Sequence, residues 1–213
     1  MTSLTKKQIN WLNKCCDSTW TLNPKTGLVD VFSDFDCSDQ GLTDFKGVKF
    51  GVVDGTFDCD KNRLTSLEGA PLKVGGDFYC SYNRLTSLEG APREVVLSFV
   101  CQNNHLTSLE GAPREVGGSF YCGSNALTSL EGAPLKDGGS FFDCENNPVS
   151  EETLAKIYDK MKKGDSFMIA AGSLINKMGK KDRKLISKQL SKKGITEDKI
   201  EAIKSWCSIR KMI

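Results

Sequence analysis

The ten residues NRLTSLEGAP occur at 62–71 and again, unchanged, at 83–92; with the second residue altered they return as NHLTSLEGAP at 104–113 and NALTSLEGAP at 125–134. A period of about 21 residues restricts the fold more than any local propensity, because one such unit cannot bury its own apolar side chains and must do so against its neighbours. The unit reads Phe-x-Cys-x-x-Asn-x-Leu-Thr-Ser-Leu-Glu-Gly-Ala-Pro followed by a variable stretch, and full copies begin at Phe57, Phe78, Phe99 and Phe120. Two degenerate copies flank them, one carrying Phe35, Cys37, Gln40, Leu42 and Phe45, the other Phe142, Cys144, Asn147 and Val149, which makes six.

Phe and Cys stand two apart, so an extended segment turns both to one side and the residue between them to the other. The Asn that follows can donate and accept, which suits it to satisfying backbone groups of an adjacent coil at a turn. Gly-Ala-Pro then bends the chain back. Stacking the six copies predicts a repeat solenoid with one parallel β-sheet of about six short strands, on the order of 25–30 Å wide, and an irregular convex side.

The phrase resembles the leucine-rich repeat L-x-x-L-x-L-x-x-N-x-L, with Phe in the fourth position, Cys in the sixth, Asn in the ninth and Leu in the eleventh. Its length is similar to that of the short class found in enterobacterial secreted effectors. "LTSLEGAP" with "GGxFxC", and the lead-in "WTLN…GLVDV", resemble leucine-rich-repeat proteins of tailed bacteriophages over about residues 20–150. The resemblance implies a binding fold rather than one activity. In its most concrete form that is a phage-encoded protein acting on a host or phage protein, as a host-takeover or counter-defence inhibitor. Two departures stand out: Val96-Leu97 replaces the Gly-Gly found at 75–76, 117–118 and 138–139, and Gln40 replaces the Asn.

A cut solenoid exposes apolar interior, so both ends are expected to carry helical caps. In residues 1–34, Ile9, Leu12 and Cys16 fall at helical intervals, and WTLN and LVDVF read as short strands around an Asn-Pro-Lys-Thr-Gly turn. Residues 35–149 form the repeats. In 150–213, Ser150 is an N-cap, Glu151 and Glu152 fill a first turn, and Leu154, Ile157, Tyr158 and Met161 form an apolar stripe ending at Gly164. Further helices are expected at 166–178, at 181–193 and from Thr196.

Charge divides the chain. Residues 1–150 carry 13 Lys/Arg against 19 Asp/Glu, while 151–213 carry 16 against 8. The two parts therefore suit different partners or each other. No apolar run approaches membrane-spanning length and the first residues do not read as a secretory signal, so a soluble, cytoplasmic protein is expected. Six of the nine cysteines, Cys37, Cys59, Cys80, Cys101, Cys122 and Cys144, are spaced by whole repeats, which suits small buried hydrophobes rather than disulfides or zinc ligands.

The shared residues describe packing, so partner recognition belongs to the variable outward positions. The residue between Phe and Cys runs Asp36, Asp58, Tyr79, Val100, Tyr121, Asp143; the residue two after Cys runs Asp39, Lys61, Tyr82, Asn103, Ser124, Asn146. From these, with Asp77 alongside, the candidate protein-binding face is Asp58, Asp77, Tyr79, Tyr82, Val100, Asn103, Tyr121 and Asp143. It has the aromatic centre and polar rim of a hot spot, although aromatic strand residues also pack across strands without binding anything. A second candidate is Lys177, Lys181, Lys184, Lys188 and Lys192, near one face of a helix, for nucleic acid or an acidic protein; a role as a virion component is a third.

No enzyme is expected. Nucleophile-elbow, Walker, HExxH and CxxC patterns are missing, the single histidine, His105, occupies a variable surface position, and no metal or cofactor is called for. Some short-repeat effectors carry a C-terminal ubiquitin ligase with a Cys nucleophile. In the tail the single thiol, Cys207 in SWCSIR, has no acidic neighbour of that kind and reads as helix packing.

Overall fold

The interior is built from one letter of each unit stacked on the same letter of the next. Phe35, Phe57, Phe78, Phe99 and Phe120 are fully buried. Their rings lie 5.2–5.6 Å apart and within 10° of parallel. The Cys column, the two Leu of each unit and the Val that precedes Gly-Gly complete a single apolar core. The computed structural model describes residues 3–16, 19–134, 136–137, 142–144 and 146–148. The helices expected beyond 150, and the five lysines of the basic stripe, lie outside the described residues.

Among the described residues the chain is a parallel-strand β-solenoid with one helix, α1 (Lys6–Cys16). One sheet follows the expected Phe-x positions: β3 (Phe35–Asp36), β5 (Phe57–Asp58), β7 (Phe78–Tyr79), β9 (Phe99–Val100), β11 (Phe120–Tyr121) and β13 (Phe142–Asp143), side by side in that order. The expected single sheet is corrected by a second one on the side read as irregular. It comprises β1 (Trp20–Leu22), β2 (Val29–Val31), β4 (Phe50–Val53), β6 (Lys73–Val74), β8 (Glu94–Val95), β10 (Glu115–Val116) and β12 (Lys136–Asp137). The two-residue strands β6, β8, β10 and β12 carry no readable alternation. They form a sheet because the stack holds each against its counterpart one coil on, as in Lys73↔Glu94↔Glu115, and Val74, Val95 and Val116 of these pairs are buried.

At the N-terminal end β1 and β2 form the expected antiparallel hairpin, with Trp20 opposite Val31. Asn23 Oδ1 accepts from the Lys25 and Thr26 amides at 3.0 and 3.2 Å to close its turn. Helix α1 opens on a capping box: Thr5 N–H donates to Gln8 Oε1 at 2.8 Å and Gln8 N–H to Thr5 Oγ1 at 3.3 Å. The helix lays Trp11 edge-on against Phe35, with 5.4 Å between ring centroids, and buries Leu12 fully.

Both sequence departures acquire a physical reading. Gln40, one methylene longer than the Asn it replaces, reaches the helix: Trp11 Nε1 donates to Gln40 Oε1 at 2.9 Å. Val96 and Leu97 continue the backbone ladder, donating to Val74 O at 3.0 Å and Gly76 O at 3.2 Å, and expose their side chains at the corner.

The Asn column is the polar spine. Asn83, for example, accepts from Leu64 N–H at 3.0 Å through Oδ1 and donates through Nδ2 to the carbonyls of Cys59, Cys80 and Ser81 at 2.9–3.2 Å. The bend that follows the second Leu needs glycine. Gly111 has φ +85°, and a Cβ there would lie 2.6 Å from Glu89 N and 2.7 Å from Leu88 C of the preceding coil.

Candidate binding face

Strand alternation sends Asp36, Asp58, Tyr79, Val100, Tyr121 and Asp143 outward from the first sheet, and the register pairs them as one continuous row. Tyr79, Val100 and Tyr121 are successive neighbours in that row and each is half-buried. Asp36 is exposed, whereas Asp143 at the other end is 5% exposed and accepts from Gln102 Nε2 at 3.2 Å, so it does not form a solvated rim.

The second expected column lies elsewhere. Asp39, Lys61, Tyr82, Asn103, Ser124 and Asn146 all have φ between 51° and 58°, in the left-handed region. They form the bend that ends each strand rather than part of its flat face. Tyr82 is 57% exposed there and Asn103 is half-buried, so both border the row. The outward residue beyond Cys is the one next to it: Ser38, Asp60, Ser81 and Gln102. The period-two alternation that selects Tyr79 also selects these, and extending it one step past the cysteine would have found them.

The N-terminal half of the face is acidic and tightly wired. Asp77 Oδ1 accepts from Ser98 N–H at 2.8 Å, Asp58 Oδ1 from Asp60 N–H at 2.9 Å, and Asp60 Oδ1 from Ser81 N–H. Burial pushes the Asp60 carboxyl up to about 6, with Asp58 adding to the shift and the Ser81 amide and Lys61 opposing it. Asp58 is raised mainly by burial and further by Asp36. The Tyr79 hydroxyl is raised by burial and then by Asp77, Asp58 and Asp60. Burial is the main cause of all three shifts and neighbouring carboxylates add to each, so a cationic group brought to this surface would be favourably placed.

The thiol column lies on the opposite, inner side of the same strands. Cys59, Cys80, Cys101 and Cys122 are fully buried, and burial holds their pKa values above the ordinary thiol range. Cys59 Sγ donates to Tyr79 O at 3.1 Å and Cys101 Sγ to Tyr121 O at 3.3 Å. Thiols held protonated in an apolar interior are neither nucleophiles nor ready metal ligands. Among the described residues no group of three or more His, Cys, Asp or Glu is placed to hold a metal ion, and no helix is long and apolar enough to cross a membrane. His105 is exposed. Comparison of the chain with protein-family models, with curated proteins and with solved structures returns no match.

Proposed function

We propose that the chain is a non-enzymatic protein-binding module, a short leucine-rich repeat by its residue pattern, that grips its partner with the outward face of the first sheet. The observation that carries this reading is the in-register run Tyr79–Val100–Tyr121, half-exposed and bordered by Asp58, Asp60 and Asp77. Rigid aromatic anchors surrounded by polar groups are what interface hot spots are made of. The carboxylates select a partner whose docking patch is basic, and they keep nucleic acid off this face. A nucleic-acid partner would have to use the basic segment 177–193. The resemblance to bacteriophage proteins makes a host or phage protein the partner, bound in the cytosol as takeover or counter-defence.

Capture of the partner from a lysate of the host, followed by titration with the purified partner, tests this. Tyr79→Ala with Tyr121→Ala is expected to weaken binding by about 2 kcal/mol or more, roughly thirtyfold, while leaving thermal unfolding nearly unchanged. A double variant that binds as tightly as the parent removes the basis for the face.

A further inference from the structure

Among the described residues the stacking rule leaves one set of backbone groups without a neighbouring coil. In the first sheet each coil donates forward: Phe35, Cys37 and Asp39 N–H reach the carbonyls of Thr56, Asp58 and Asp60 at 2.8, 2.8 and 3.0 Å, and Phe57, Cys59 and Lys61 repeat this onto Asp77, Tyr79 and Ser81 at 2.9 Å. The register Phe35↔Phe57 makes Asp34, Asp36 and Ser38 the first-coil equivalents of Thr56, Asp58 and Asp60. Their carbonyls accordingly face the end of the stack, where no earlier coil donates to them. Asp34 O takes the Ser33 hydroxyl at 3.0 Å. The Asp36 and Ser38 carbonyls and the Asp36 N–H meet no partner among the described residues.

Helix α1 covers the core at this end but not the strand edge. Trp11 and Leu12 sit over Phe35 and the apolar interior. Outside them, a cavity of about 500 Å³ opens between Lys14, Cys15 and Cys16 on the helix and Asp34, Asp36 and Ser38 on the edge. Unpaired strand edges recruit strands from other chains.

We propose that this edge accepts an extended basic peptide segment as an added strand, alternate residues of which pair with the β3 backbone while its outward side chains lie beside Asp34 and Asp36. The charge decides the occupant. The outward side of this edge carries Asp34 and Asp36, with Asp58 and Asp60 one coil behind, against Lys14 on the helix wall. A second copy pairing edge to edge would bring Asp36 towards Asp36, which is unfavourable, whereas Lys or Arg on the incoming strand forms opposite-charge neighbours. The inward side chains of that strand meet Cys15 and Cys16, so they must be small. The site uses backbone groups of the first coil, two coils from Tyr79, and makes no use of the tyrosine side chains, so it is tested separately from the tyrosine face.

The test uses the full chain and a fluorescein-labelled heptapeptide, Lys-Thr-Lys-Thr-Lys-Thr-Lys, followed by fluorescence anisotropy at low salt. Saturable binding is expected, with none by the Glu-for-Lys peptide. In a strand the N–H groups of alternate residues point to opposite sides, so N-methylation of either the Lys set or the Thr set must lower affinity tenfold or more while the other set is tolerated. Asp36→Asn, which keeps an oxygen for the Ser38 amide, is expected to weaken binding about two- to fivefold with no change in melting temperature. The Tyr79→Ala, Tyr121→Ala chain binds the heptapeptide as the parent does. Equal affinity of the two methylated peptides reduces the effect to plain charge attraction and overturns the proposal. So does failure of the full chain to bind, or loss of peptide binding in the double tyrosine variant.

Discussion

Asn104→Ala is the sharpest probe of what holds the coils together. The side chain is 6% exposed. Its Oδ1 accepts from Leu85 N–H at 3.0 Å, and its Nδ2 donates to the carbonyls of Cys80, Cys101 and Gln102 at 3.0, 3.1 and 3.3 Å. Not all of these losses weigh equally. Cys80 O keeps a second donor in Asn83 and Cys101 O keeps one in Asn125, at 3.2 and 3.1 Å. The buried Leu85 N–H has no such substitute, and stranding it costs about 1–3 kcal/mol. Adding the weakened carbonyls, the expected loss is about 3 kcal/mol by urea unfolding at 25 °C followed by circular dichroism. His105→Ala, an exposed neighbour, serves as the control and should stay within about 0.5 kcal/mol of the parent. Asn104→Asp separates the acceptor role from the donor role. It keeps an oxygen for Leu85 but at neutral pH turns a buried carboxylate, with nothing to donate, towards three carbonyls. It should therefore be worse than alanine at pH 7. A loss below about 1 kcal/mol for Asn104→Ala, or an aspartate variant no worse than the alanine one, would show that the spine is not what joins neighbouring coils.

Two further outcomes follow from the face itself. Tyr82 holds φ 53° with its ring 57% exposed, a conformation that asparagine tolerates better than tyrosine, so Tyr82→Asn should stabilise the fold by about 0.5–1 kcal/mol in the same urea assay; a loss of stability would refute the strain. Asp60 is held at about 6 in the folded chain against an ordinary 3.8, so between those pH values the folded state binds a proton that the unfolded state does not. Stability should consequently rise as pH falls from 7 to 4, and Asp60→Asn should remove that component, on the order of 1 kcal/mol once solvent screening is allowed for; parallel pH profiles of parent and variant would contradict this.

Much of the candidate face is legible in the sequence, and the misreadings have identifiable causes. Counting by two from Phe places Tyr79, Val100 and Tyr121 on the outward side, as observed, because a strand, however short, alternates. Counting on to Tyr82 and Asn103 fails because the chain leaves the strand at that residue, turning through a left-handed conformation at Lys61, Tyr82, Asn103 and Ser124 alike. Nothing about lysine, tyrosine or serine announces a positive φ; the inward pull of the following Asn imposes it. Asp60 lies one step further along the same alternation, past the cysteine, so its outward position is legible in the sequence; its raised pKa is not, because that depends on burial between coils.

The sequence alone determined the period, the inward letters and the asparagine spine, because each of these recurs in every copy and only a stack can use them together. The tertiary structure decided the second sheet, the contact of Gln40 with Trp11 and the edge at β3, which no described strand pairs. Pairs such as Glu94–Val95 have no strand signal of their own and become strands only when a neighbouring coil presents its backbone at the right spacing. An edge, likewise, is a property of what lies beside it. Asp36 and Asp58 occupy the same place in their units, and what separates them is that a coil precedes one and not the other.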